Sequence, residues 1–238
     1  MYRRLTLLLM KRNVFTLLLF VCIFAGLKAQ TVFSEHEDAK WGVALGYVSK
    51  DWRTDFGSGG TYKENLWGEE DKRFHGMQVG VFYQPCFKWG LGIYTGLFYE
   101  GYISLSSKME YDEFVEHSGY IPLHLSYRIP LGRELSVSLR GGLGLNYAFY
   151  GEFREFGYED YEGNYYGPHD YFLEYGREGW PKRFNAQAEM ALSFRCKMLQ
   201  VGLTYSRGLT DHRFYRADGD YKTRQNKFAL SVALVLSD

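Results

Sequence analysis

Eight stretches of this chain alternate at period two between large apolar side chains and small or polar ones, and that pattern constrains the fold more than any other feature. They run Lys40–Ser49, Phe74–Tyr83, Trp89–Tyr99, Tyr120–Ile129, Leu135–Phe149, Arg183–Phe194, Leu199–Leu209 and Lys227–Leu236. Successive side chains of a β-strand point to opposite faces, so each stretch sorts its residues onto two surfaces. In the third, Trp89, Leu91, Ile93, Leu97 and Tyr99 oppose Gly90, Gly92, Tyr94 and Gly96. In the fifth, Leu135, Val137, Leu139, Leu143, Leu145 and Tyr147 oppose Ser136, Ser138, Arg140, Gly142, Gly144 and Asn146.

A soluble sandwich buries its large face and presents a charged one to water. Here the second face is too small and too sparsely charged for that. It suits the narrow inside of a closed barrel, with the large face turned to lipid. Strands of about ten residues match the tilted crossing of a bilayer. Trp41, Tyr47, Tyr83, Trp89, Tyr99, Tyr127 and Tyr147 lie near segment ends, where aromatic girdles belong. Only five prolines among 238 residues, with 27 glycines and 21 tyrosines, agree with long antiparallel strands.

The connections alternate in length. Those at 50–73, 101–119, 150–182 and 210–226 are long, and those at 84–88, 130–134 and 195–198 are short. With both termini in the periplasm, the long ones face outward. The expected fold is all-β: a single eight-stranded antiparallel transmembrane β-barrel with short periplasmic turns and long extracellular loops, in the outer membrane of a Gram-negative cell.

The N-terminus reads as an export signal. Arg3, Arg4, Lys11 and Arg12 precede the apolar run Val14–Gly26, and Leu27-Lys28-Ala29-Gln30 follows. That run is short against the roughly 20 residues of a membrane helix, and Cys22 lies inside it rather than at a lipoprotein cleavage point. Met10 is a second candidate start. The division is therefore signal peptide 1–29, a short periplasmic segment 30–39 and barrel 40–238. Residues 1–30 hold five of the 28 Lys/Arg and no Asp/Glu, so the remainder carries 23 basic against 28 acidic side chains, net −5. A nucleic-acid surface would be basic, and none is expected.

Inward parity places Gln78, Glu100, His124, Arg128, Arg140, Asn185, Gln187 and Glu189 in the lumen. An unpaired charge is costly in a narrow interior, so an Arg–carboxylate network is expected there, with Arg140 and Glu189 as a candidate pair. Eight strands leave room only for side chains, so this network is a filled core. The loop 150–182 carries Tyr158, Tyr161, Tyr165, Tyr166, Tyr171 and Tyr175 among many carboxylates. Tyrosine supplies rigid contact area with a polar tip, which suits a protein or glycan ligand. No catalytic, cofactor-binding or metal-binding residues are assigned and no cofactor is expected. Ser118 beside His117 is a local pair without a triad. Cys86 and Cys196 fall in periplasmic turns far apart around the barrel, which argues against a bond between them.

Trp89-Gly-Leu-Gly-Ile-Tyr-Thr-Gly96, Tyr120-Ile-Pro-Leu-His-Leu-Ser-Tyr-Arg128, Leu139-Arg-Gly-Gly-Leu-Gly-Leu145 and Tyr205-Ser-Arg-Gly-Leu209 carry a resemblance. With these runs, nearly the whole mature chain resembles the small outer-membrane β-barrel proteins of Bacteroidetes, a porin-like family with an outer membrane protein beta-barrel domain. The resemblance implies an outer-membrane lipid and lipopolysaccharide setting, insertion by the barrel assembly machinery, and no particular reaction. The end Leu234-Val-Leu-Ser-Asp238 departs from the terminal aromatic of many such barrels. The expected role is structural or surface-binding through the extracellular loops, and not enzymatic. The alternatives are a narrow channel or accessory subunit of an envelope or secretion assembly, and, below these, an outer-leaflet lipid-modifying enzyme.

Overall fold

The computed structural model describes residues 38–56, 60–62, 74–87, 89–104, 112–155, 158–159, 165–167, 169–172, 174–175, 182–210 and 221–236. The expected signal peptide and residues 30–37 lie outside them. Eight strands form the wall: β1 (Asp38–Phe56), β2 (Phe74–Cys86), β3 (Leu91–Ser104), β4 (Asp112–Pro130), β5 (Leu135–Glu155), β6 (Phe184–Cys196), β7 (Leu199–Gly208) and β8 (Tyr221–Leu236). Each pairs antiparallel with the next, and β8 returns to β1 from Trp41↔Leu236 to Phe56↔Tyr221. Among the described residues each wall strand has a neighbour on both sides, so the sheet closes on itself, which removes the liability of an open sheet in lipid.

The strands outrun the alternating segments at their outer ends. β1 continues to Phe56, β4 begins at Asp112, β5 reaches Glu155 and β8 begins at Tyr221, so much of the sequence expected as loop is ladder. Alternation fades there because the outward positions no longer need to be apolar. Short strands add to this rim: Gly60–Tyr62 pairs with the end of β1, and His169–Phe172 pairs with β5 from Glu155↔His169 to Glu152↔Phe172. At the opposite end the turns are tight. Cys196 pairs with Leu199, leaving Lys197 and Met198 as a two-residue link in which Lys197 takes φ 53°.

One irregularity reorients the outer half of a strand. His117 pairs with Tyr150 but Ser118 pairs with Ala148, so Phe149 is an extra residue on β5. Such a bulge flips the parity of everything beyond it. Gly151 therefore faces inward, buried opposite Glu116, where the alternation of Tyr147 and Phe149 would have turned it outward.

The two faces of the wall differ as the alternation requires. Outside, Val43, Leu45, Val79, Val81, Leu97, Leu123, Leu125, Leu143, Leu203, Leu230 and Val232 stand exposed around the circumference. An apolar belt of that extent is far beyond the patches a water-soluble monomer tolerates, and lipid is the medium that accommodates it. Inside, Phe82, Tyr94, Phe98 and Tyr120 form an aromatic cluster with Ala44, Ala233 and Val235. Gly42 makes this possible, because a β-carbon there would sit 2.2 Å from the Phe82 ring.

Candidate functional site

The lumen holds two charged nodes built on inward positions. The central one surrounds Lys227 of β8, whose Nζ lies 3.0 Å from Glu100 Oε1, 3.8 Å from Glu189 Oε1 and 3.3 Å from the centre of the Tyr120 ring. Glu189 Oε2 accepts hydrogen bonds from the Tyr120 hydroxyl and from His124 Nε2 at 2.7 Å, while its Oε1 accepts from Ser206 at 2.6 Å. Glu100 Oε2 accepts from Tyr102 at 2.7 Å and from Asn146 Nδ2 at 3.1 Å. Gly144 opens the space that Glu189 occupies, since a β-carbon on it would fall 2.3 Å from Oε1. Buried ion pairs hold only when their remaining lone pairs and protons are satisfied, and both carboxylates meet that condition here.

The second node lies nearer the outer rim. Lys50 of β1 crosses to Glu116 of β4 and lies 3.9 Å over the Tyr102 ring. Tyr175, from the link between β5 and β6, donates its hydroxyl to Glu116 Oε2 at 3.1 Å. Burial, reinforced by the Glu116 charge, pushes the Tyr175 phenol above its ordinary pKa. A third, uncharged cluster lies on the inner face of β6 and β8: Asn185 and Gln187 both donate to Gln225 Oε1, and Thr210 donates to Asn185 at 2.6 Å.

Gln78, Glu100, His124, Arg140, Asn185, Gln187 and Glu189 are buried within the barrel, and Arg128 is half-buried on the same face of β4. The expected Arg–carboxylate network is corrected: Lys50 and Lys227 are the cations that meet the carboxylates. Arg140 makes no ion pair with Glu189 among the described residues, and instead lies 4.0 Å over the Tyr94 ring. Lys50 and Glu116 lie beyond the ends of the alternating segments, whereas Lys227 shares the parity of Ala229 and Ser231, which places it in the lumen.

The tyrosines of 150–182 do not form one surface. Tyr165 is 71% exposed, but Tyr175 is 7% exposed and belongs to the lumen node. Tyr158 pairs with Tyr166 along the backbone, and Tyr171 pairs with Phe153; Tyr161 lies outside the described residues. Phe172, 64% exposed, packs edge-on against Tyr150. The His117–Ser118 pair is divided by the wall. His117 stacks on Tyr99 outside, while buried Ser118 accepts from Asn146 inside, as adjacent strand residues must. Cys86 and Cys196 are not joined in a disulfide.

A closed eight-stranded antiparallel barrel, apolar outside and charged within, defines a small transmembrane β-barrel of the Gram-negative outer membrane. No protein-family model and no curated protein sequence matches the chain. Among solved structures, Ail, the attachment invasion locus protein of Yersinia pestis, in complex with the heparin analogue sucrose octasulfate, is 11% identical, with a TM-score of 0.42 over 84% of this chain and 99% of that one. The outer membrane protease OmpT from Escherichia coli is 8% identical, with a TM-score of 0.41 over 87% and 100%. Neisserial surface protein A is 9% identical, with a TM-score of 0.38 over 81% and 96%. These likenesses assign no role to any residue; the architecture rests on the strand pairings themselves.

Proposed function

We propose that the protein is a structural, surface-binding barrel of the outer membrane, which meets a protein or glycan ligand through the outer rim of β4, β5 and the link that follows. The observation that carries this reading is the filled lumen: the Lys227 and Lys50 nodes occupy the cross-section, and Tyr175 sits on the second of them. Chemistry aimed at the outside world then has to lie on the rim, where Tyr165 and Phe172 are exposed. Aromatic side chains with free faces are efficient contact residues. The glycine-rich strands and the Ile121-Pro122-Leu123 run further support grouping the chain with the small Bacteroidetes barrels.

The test uses the full barrel in lipid nanodiscs against arrays of glycans and extracellular-matrix proteins. Wild type should bind a definable subset, and a Tyr165→Ser/Phe172→Ser variant should lose it about tenfold or more while keeping the heat-modifiable gel shift of a folded barrel. Wild type that binds nothing on either array would remove the ligand reading. A reproducible conductance in planar bilayers would favour a channel instead.

A further inference from the structure

Among the described residues, Arg140 is a lumen cation that neither node matches with a carboxylate. Arg140 is 7% exposed, and its Nε and Nη1 have no hydrogen-bond partner. Its face lies on Tyr94, which supplies a π-contact but accepts neither of those protons. Charged donors withdrawn from water are rarely left unsatisfied. Arg140 lines a cavity of about 20 Å³ inside the barrel, together with Lys227, His124, Thr204, Ser231 and Gln78. No carboxylate is in that wall among the described residues. On the same measure a single water needs roughly 10–15 Å³, so the space admits one small ion and excludes a sulfate or phosphate group.

The neighbouring chemistry adds to this polarity. Arg128, four residues beyond His124 along β4 and on the same face, is half-buried and also has an unpartnered Nε. Neither guanidinium is ion-paired to a carboxylate among the described residues. Glu100, Glu116 and Glu189 are instead taken up by Lys227 and Lys50.

We propose that this cavity is a binding site for a single small monovalent anion of halide size, held by Arg140 with support from Lys227 and the Thr204 hydroxyl. The anion completes the lumen core between the central node and the periplasmic end. It is a bound component of the barrel rather than a conducted one, since the Lys227 node stands on its outer side.

Bromide is the probe. In crystals of the wild-type barrel grown in sodium bromide, diffraction at the bromine edge should give an anomalous peak within hydrogen-bonding reach of Arg140 Nε or Nη1. Density there without anomalous signal means water only and overturns the proposal, as do peaks confined to the protein surface. In detergent at constant ionic strength, bromide replacing a large organic sulfonate should raise the wild-type unfolding temperature and saturate. Thr204→Val should raise the half-saturating concentration about three- to tenfold, and Arg140→Gln about ten- to hundredfold. If Arg140→Gln does not fold, the Thr204→Val shift and the anomalous map decide the matter. A wild-type barrel whose stability is indifferent to bromide overturns the proposal.

Discussion

The two lysine nodes of the lumen look alike in chemistry and differ in what they fasten. Lys227 meets two carboxylates, and its network draws Glu100 from β3, Tyr120 and His124 from β4, Asn146 from β5, Glu189 from β6 and Ser206 from β7. Every member stands on a barrel strand, so the node braces the cross-section of the wall. Lys50 meets Glu116, and its set ends on Tyr175, which comes from an outer connection. That node couples a loop to the barrel. One node is scaffold and the other is the joint between scaffold and surface, and the proposed surface role depends on the joint.

The comparison breaks most visibly at Lys227. Lys227→Met leaves Glu100 and Glu189 buried without their shared cation, and removing one partner of a buried pair is worth about 3–5 kcal/mol. Urea unfolding in detergent micelles, followed by tryptophan fluorescence, should show that loss; a change below about 1 kcal/mol would mean the carboxylates are hydrated or protonated and the brace is illusory. Lys50→Met should lose somewhat less, roughly 2–4 kcal/mol. Removing the facing carboxylate along with the lysine, in the Lys50→Met/Glu116→Leu double variant, should recover stability relative to either single change. No single carboxylate replacement can balance Lys227→Met in this way, because the other remains. Equal rescue at both nodes would erase the distinction drawn between them.

Gly144→Ala probes the central node by volume rather than charge. The new methyl would lie 2.3 Å from Glu189 Oε1, and that carboxylate cannot swing aside without leaving Tyr120, His124 and Ser206. Overpacking of this kind is worth about 1–3 kcal/mol, read from the same unfolding curves. Gly202→Ala, whose nearest neighbour is a serine hydroxyl at 3.0 Å, is the control and should lose less.

Alternation told which side of the wall a residue occupies, because lipid outside and a crowded lumen inside make the two faces chemically opposite. Glu100, His124, Arg140 and Glu189 fall inside on that basis alone. It did not tell which inward residues meet. Pairing across the lumen depends on strand tilt and stagger, which the parity of one strand does not contain. Parity alone therefore offers Arg140 as the partner of Glu189, although Lys227, on β8, is the one that reaches it. Lys50 and Glu116 were hidden for another reason. They stand where the strands have left the apolar belt, so the outward positions no longer mark the period. Beyond Phe149 the bulge shifts the parity itself, and nothing in Tyr147-Ala-Phe-Tyr150 announces it.

The smallest expected effect tests the joint at Tyr175. Tyr175→Phe removes one hydrogen bond to a carboxylate, about 1–2 kcal/mol near neutral pH, and Glu116 keeps Lys50. Its pH dependence is more telling than its size. The buried phenol is held above its ordinary pKa of about 10, so above that pH the unfolded chain gives up this proton while the folded barrel retains it. The native state then binds more protons than the unfolded one, and stability falls as pH rises, by up to about 1.4 kcal/mol per unit. The contribution of Tyr175 is thus fully present below about pH 10 and lost above it. Phe has no such proton, so the gap between wild type and Tyr175→Phe should be steady through neutral pH, then narrow and reverse in alkali. The other tyrosines and lysines titrate in both proteins and cancel in the difference. A gap that stays constant into alkali would place the phenol in water, and Tyr175 would then be a surface residue that does not hold the loop to the barrel.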